Sequence, residues 1–197
     1  TAVLLFAKAP RAGLVKTRLA REIGAPQALD VYRRVGRAVA DRLAARYAVT
    51  VWFDPAGAEA EMRRWLGDAP TFRPQPAGDL GQRLQHAVAW HFAEGDAPVV
   101  VVGADVPRLT AEHVAEAERR LGRHDVVIGP AEDGGYYLIG LTAPVPEVFR
   151  DMPWGSADVL RLTVGRCRER DLRVAVLETL RDVDTATDVQ ALGLARP

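Results

Sequence analysis

The chain of 197 residues holds a single cysteine, Cys167. That excludes an intrachain disulfide and a zinc cage built of thiolates, and it fits a reducing compartment. No apolar run approaches the ~18 residues of a membrane span, and residues 2–7 are too few for the apolar region of a secretory signal. Neither sign of charge is in excess, since 26 Lys and Arg balance 26 Asp and Glu. A nucleic-acid binder would carry a whole basic face, so that partner is not expected. His86, His91, His113 and His124 lack metal-ligand spacing, and each reads as a surface or packed side chain. Repeats, low-complexity tracts and linkers are also missing, while 48% apolar composition supports one full core. The expectation is a single domain over residues 1–197, cytoplasmic and without a membrane span.

The named phosphate-binding motifs are absent as well. Gly13-Leu14-Val15-Lys16-Thr17 is only superficially like a P-loop, which needs glycine directly before the lysine and another five residues earlier; Val15 and Pro10 stand there. No G-x-G-x-x-G follows a strand-like segment, so a dinucleotide site is unsupported. What is present is an asymmetry: Lys8, Arg11, Lys16, Arg18 and Arg21 all precede the first acid, Glu22. A first strand that ends in a Gly/Pro turn and opens into a cationic helix start gathers backbone N–H groups and cations around one point, which suits a polyphosphate. The alternative is a solvated basic face; position at the carboxyl end of the first strand favours phosphate.

Strand-like and helix-like segments alternate without interruption. Strands are expected at 2–7, 48–53, 71–73, 98–102, 126–128, 136–141 and 174–177, and helices at 28–46, 58–66, 80–93, 111–121, 157–169 and 185–192. The run of four valines in 98–102 means that both sheet faces are covered. This order predicts a three-layer α/β/α sandwich with a mostly parallel sheet.

Ligands in such sheets sit beyond the carboxyl ends of strands. Asp105 directly follows the valine strand, where a hard-cation ligand bridging phosphates would stand. Its bland alternative is a helix cap, but Thr110 is the better cap for the helix from Ala111. Residues 129–137 crowd Glu132, Asp133, Gly134, Gly135, Tyr136 and Tyr137 into one loop. A hairpin turn would explain the glycines; an acceptor loop would also use Glu132 or Asp133 to bind hydroxyls or act as a base. Gly81 and Arg83, in Gly78-Asp79-Leu80-Gly81-Gln82-Arg83, are candidates for nucleobase or phosphate contact or simply a helix start. Asp184 and Thr185 read as caps, and Trp154-Gly155-Ser156 as a turn with a core aromatic.

Taken in order, K-x-P-x-x-G-x-V-K-T-R-L (8–19), G-D-L-G-x-R (78–83), G-A-D-x-P (103–107), G-P-x-x-D-G-G-Y-Y-L-I-G (129–140), P-W (153–154) and D-V-D-T (182–185) resemble a bacterial family of small glycosyltransferase-like proteins. That family is associated with arsenosugar biosynthesis, was long carried as a domain of unknown function, and is similar to 2-phospholactate guanylyltransferases and molybdenum-cofactor nucleotidyltransferases. The resemblance implies the GT-A, nucleotide-diphosphosugar transferase fold. It implies that Lys8, Gly13, Lys16 and Arg18, with Ala7 at the strand end, hold nucleotide phosphates, and that Asp105 holds Mg²⁺ or Mn²⁺ with Asp184 as second ligand. With these roles, Asp133, Gly134, Gly135, Tyr136 and Trp154 are the candidates for the acceptor side, and Asp105, Asp133 and Lys16 the candidate catalytic set. One departure stands out: Gly103 and Pro107 leave Asp105 without the Asp-x-Asp partner usual in glycosyltransferases of this fold.

Two reactions fit. A nucleotide sugar would give up its sugar to a small-molecule acceptor, as the family implies. Alternatively, a nucleoside triphosphate would give up its nucleotide and release pyrophosphate, which the dense cations of the first loop favour. A binding scaffold without turnover is the third reading.

Overall fold

The computed structural model describes residues 1–195. Seven strands form one sheet: β1 (Ala2–Lys8), β2 (Val49–Asp54), β3 (Thr71–Pro74), β4 (Val99–Gly103), β5 (Val126–Pro130), β6 (Tyr136–Leu141) and β7 (Val174–Val176). The helices are α1 (Thr17–Ile23), α2 (Ala25–Ala44), α3 (Glu59–Leu66), α4 (Leu80–Ala93), α5 (Ala111–Leu121), α6 (Val159–Arg168) and α7 (Ala186–Ala191). Strand order is β3-β2-β1-β4-β6-β5-β7, and only β6 runs antiparallel to its neighbours. The expected α/β/α sandwich with a mostly parallel sheet is the observed fold.

Two cores, one on each sheet face, explain the continuous apolar strands. Val3, Leu5 and Ala7 of β1 and Val100 and Val102 of β4 pack toward α2, α3 and α5. Ala2 and Leu4, with Val99 and Val101, pack on the other face with Leu84 and Val88 of α4 and Cys167 of α6. Leu4 and Leu5 are both fully buried, so truncating either to alanine would cost ~2–5 kcal/mol. Burial pushes the Cys167 thiol up to about 11, which makes it a packing residue rather than a nucleophile. His91 is packed too, taking the Trp52 indole N–H at 3.3 Å and facing Asp96 at 2.7 Å.

Some element boundaries differ from expectation. The cationic helix start is a separate helix, α1, because Gly24 at φ 89° breaks the chain before α2, whose first turn contains Pro26. Helix α6 begins two residues later than expected, and Leu160 N–H, in its first turn, donates to Gly134 O at 2.9 Å. The β5–β6 hairpin is real, with a bulge at Gly129/Pro130.

Candidate active site

Strands β1 and β4 are adjacent and parallel, with Phe6 opposite Gly103, so the loops after their carboxyl ends emerge side by side. The first carries Lys16. Its backbone is left-handed (φ 49°, ψ 48°), unusual for a residue with a β-carbon and worth ~1–3 kcal/mol of strain, and it caps the start of α1 without a side-chain bond. The conformation delivers the ammonium to two carboxylates. Lys16 Nζ lies 2.7 Å from Asp105 Oδ2 and 2.9 Å from Asp184 Oδ1, and Arg18 reaches Asp184 Oδ2 at 3.3 Å. The Lys16 side chain is 7% exposed, against 39% for Asp105 and 29% for Asp184.

Burial works against the charge on Lys16, but the carboxylates of Asp105 and then Asp184 outweigh it and hold the ammonium above the usual lysine range. Burial also opposes the Asp105 carboxylate, and Lys16 more than reverses this, holding its pKa below the ordinary value.

Asp184 is free to face Lys16 because it does not cap α7. Thr185 does: its hydroxyl accepts from Asp188 N–H at 3.2 Å, and Asp188 Oδ2 accepts from the N–H groups of Thr185 and Asp184 at 2.8 and 3.1 Å. Val183 is buried, and its N–H donates to Asp105 O at 3.3 Å, so the segment is fastened to the end of β4.

Two cavities meet here. A groove of ≈ 640 Å³ includes Ala7, Lys8, Lys16, Arg18, Arg83 and Asp184, and a pocket of ≈ 230 Å³ includes Asp133, Gly135, Tyr136, Trp154 and Asp182. Phe6, Leu80, Gly103 and Asp105 line both.

The family described as "Uncharacterized protein conserved in bacteria (DUF2064)" matches residues 37–156. The chain belongs to this family. A crystal structure of a candidate nucleotide-diphospho-sugar transferase from Desulfovibrio desulfuricans G20 is 38% identical to this DUF2064 protein, with a TM-score of 0.91 over 97% of this chain and 85% of the other. Two more distant structures share the fold. They are 4-diphosphocytidyl-2C-methyl-D-erythritol synthase of Anaerococcus prevotii DSM 20548 (12% identity, TM-score 0.62, 99% and 98% covered) and Rv0371c of Mycobacterium tuberculosis H37Rv in complex with manganese (16%, 0.59, 98% and 97%). No curated protein sequence matches the chain.

Not every candidate residue of the DUF2064 chain faces a cavity. Gly81 is buried, and a β-carbon there would collide with Phe149 O and lie 3.1 Å from Trp154 Nε1, so the glycine lets α4 pack closely. Gly134, at φ 89°, packs on the backbone of Ala157, whereas Gly13 is exposed with open space around it. Arg83 lines the groove but is tied to Asp54 (3.2 Å), Gly78 O (2.9 Å) and Gln75 Oε1 (3.2 Å). Glu132 pairs with Arg181 and Arg11 with Glu61. Asp133 Oδ1 accepts Gly135 N–H at 2.8 Å. Tyr136 and Tyr137 both line the pocket; Tyr137 is otherwise buried, its hydroxyl donating to Glu178 O at 3.1 Å.

Two residues escaped sequence reasoning. Tyr32, from the middle of α2, donates to Lys8 O and accepts from Lys8 N–H, both at 3.0 Å, bracing the end of β1. Asp182 projects into the pocket, where burial and then the carboxylates of Asp133, Asp184 and Asp105 push it up to about 6. The doubled acid of Asp182-Val183-Asp184 was the available signal; its reading as a capping run hid it.

Among the described residues no three His, Cys, Asp or Glu side chains cluster to hold a metal ion. Asp105 and Asp184 converge on one point, which a cation already occupies as the Lys16 ammonium. Two carboxylates completed by phosphate oxygens and water suit Mg²⁺ or Mn²⁺, so these residues fit the metal. No described helix is long and apolar enough to cross a membrane.

Proposed function

We propose that the chain is a divalent-metal-dependent transferase that binds a nucleotide sugar in the groove and transfers the sugar to a small molecule in the adjoining pocket. The observation that carries this reading is the meeting of the two cavities at Asp105. Lys16 and Arg18 engage the diphosphate, with Ala7, Lys8 and Arg83 along the nucleotide and Gly13 at the turn of the loop that carries Lys16. Mg²⁺ or Mn²⁺ would be held by Asp105 and Asp184, the latter standing in for the missing Asp-x-Asp partner, and would supply stabilisation of charge on the departing diphosphate. Lys16 then exchanges its carboxylate partners for phosphate oxygens, another charge-assisted set of bonds. An acceptor hydroxyl beside Asp133 attacks the anomeric carbon, the bond to the diphosphate oxygen breaks, and the hydroxyl proton passes to Asp133. Gly135, Tyr136 and Trp154 shape the acceptor side, with Gly134 setting the loop. The donor and the single buried cysteine suit a cytoplasmic enzyme.

Incubation with nucleotide sugars or nucleoside triphosphates, Mn²⁺ and cell extract as acceptor source, followed by ion-exchange chromatography, tests the reaction. A nucleoside diphosphate released from a nucleotide sugar is expected. The cations lining the groove favour nucleotidyl transfer as the second reading, and pyrophosphate from triphosphates alone would establish it. Binding without any product would leave the scaffold.

A further inference from the structure

Beyond Asp105, the ≈ 230 Å³ pocket has an apolar body and an acidic mouth. Leu84, Val101, Ile139 and Val159 form walls, and the rings of Tyr136 and Trp154 meet edge-on at 6.2 Å. The charged side chains that line it are Asp105, Asp133 and Asp182; no Lys, Arg or His among the described residues does so. Nearby cations are committed elsewhere: Arg181 to Glu132 at 2.6 Å, Arg161 to Asp158 at 2.9 Å, and Lys16 on the groove side of Asp105. The volume is below the ~300–1,000 Å³ of pockets for drug-sized ligands, so the part of a ligand enclosed is about one ring or a short branched chain.

We infer that the acceptor is an alcohol without negative charge, neutral or cationic, whose compact apolar body fills this pocket, and that phosphomonoesters and carboxylates are refused as acceptors. The inference rests on the proposed transfer reaction and names its second substrate class. An anion entering the pocket would lose water and meet Asp133 and Asp182 with no cationic side chain in return, since a metal at Asp105 and Asp184 would be committed to the donor's diphosphate. A hydroxyl or ammonium finds acceptors instead, with the Asp133 carboxylate already oriented by Gly135 N–H. The same charge pattern opposes nucleotidyl transfer onto an acceptor phosphate, which would need cations on this side of Asp105 as well as in the groove.

Benzyl alcohol, benzylamine and benzyl phosphate share one apolar body and differ in charge, so they separate shape from electrostatics. Their binding is read from the Trp154 indole N–H resonance, assigned with Trp154→Phe, because this reporter borders the pocket and ignores phosphate bound in the groove. The alcohol and the ammonium should bind, and the phosphate at least about tenfold more weakly; Asp133→Lys, at an exposed loop position, should narrow or reverse that ratio. Phosphate binding as tight as the alcohol, or no binding by the alcohol and the ammonium, would overturn the inference. Stabilisation by nucleotides with Mn²⁺, measured on the same protein, reports on the donor groove separately. Its absence would sink the transferase reading while leaving the probe ratio to judge the pocket.

Discussion

The Lys16 ammonium sits 2.7 Å from Asp105 Oδ2, although 89 residues separate them. A side chain so enclosed keeps its charge only because partners replace its water. Here the partners are the two carboxylates that the proposed reading assigns to a divalent ion, so the lysine ties Asp105 to Asp184 and on that reading would compete with a metal for them.

Asp105→Asn keeps the shape and removes the charge. Lys16 retains Asp184, and Asp105 is partly open to solvent, so the loss of stability should be about 1–2 kcal/mol, at the modest end for a charge-assisted bond. Stabilisation by nucleotide with Mn²⁺ should vanish. A melting series with and without these ligands checks both; full retention of the metal effect would remove Asp105 from the ligand set.

Lys16→Met deletes the competing cation and leaves Asp105 and Asp184 facing without it. Affinity for Mn²⁺ alone should rise by at least about tenfold, while a nucleoside diphosphate should weaken by roughly 1.5–3 kcal/mol through loss of a charged donor. Calorimetric titrations of Mn²⁺ and of the nucleotide measure the two effects. Unchanged Mn²⁺ affinity would mean the ion binds elsewhere.

Asp182 gives a pH signature of opposite sign to Asp105. With its pKa raised to about 6, its proton is held more tightly in the folded state than in the unfolded chain, where the ordinary value is ~3.9. Its contribution is therefore fully present below about pH 4 and lost as pH rises through 6. Asp182→Asn should be neutral at low pH and stabilising above pH 6, on the order of 1–3 kcal/mol, or ~2–4 °C per kcal/mol for a chain of this size. Asp105, with its pKa depressed, contributes stability that disappears as pH falls. Melting curves of wild type and Asp182→Asn from pH 4 to 8 test the difference; parallel curves would refute it.

Gly81→Ala tests packing against binding. The new methyl group would strike a backbone carbonyl, so stability should drop by about 1–3 kcal/mol with nucleotide affinity nearly unchanged once folded. A stable variant with weakened nucleotide binding would return Gly81 to the groove.

Much of the fold and several site positions were legible because they follow from local rules. The periodicity of Leu84, Val88 and Phe92 marked α4, and four consecutive valines marked a strand covered on both faces. The position of Asp105 just beyond the end of β4 was readable from the valine run, and Thr110 caps α5 as its position before Ala111 indicated. Element ends were less legible, since the start of α6 involves a hydrogen bond to Gly134 far back in the chain.

The sequence by itself determined the layers, the loop-forming strand ends and the types of chemistry available at them, because propensity, periodicity and turn composition act over a few residues. Tertiary structure alone decided the pairing of Lys16 with Asp105 and Asp184 and the turning of Asp182 into a pocket with Asp133. It also set Gly81 against the Phe149 carbonyl in the packing of α4. The charge contacts depend on where β1, β4 and the segment before α7 converge, the Gly81 contact on where α4 meets Phe149 and Trp154, and the energy of a charge depends on the distance and burial of partners that a linear sequence does not specify.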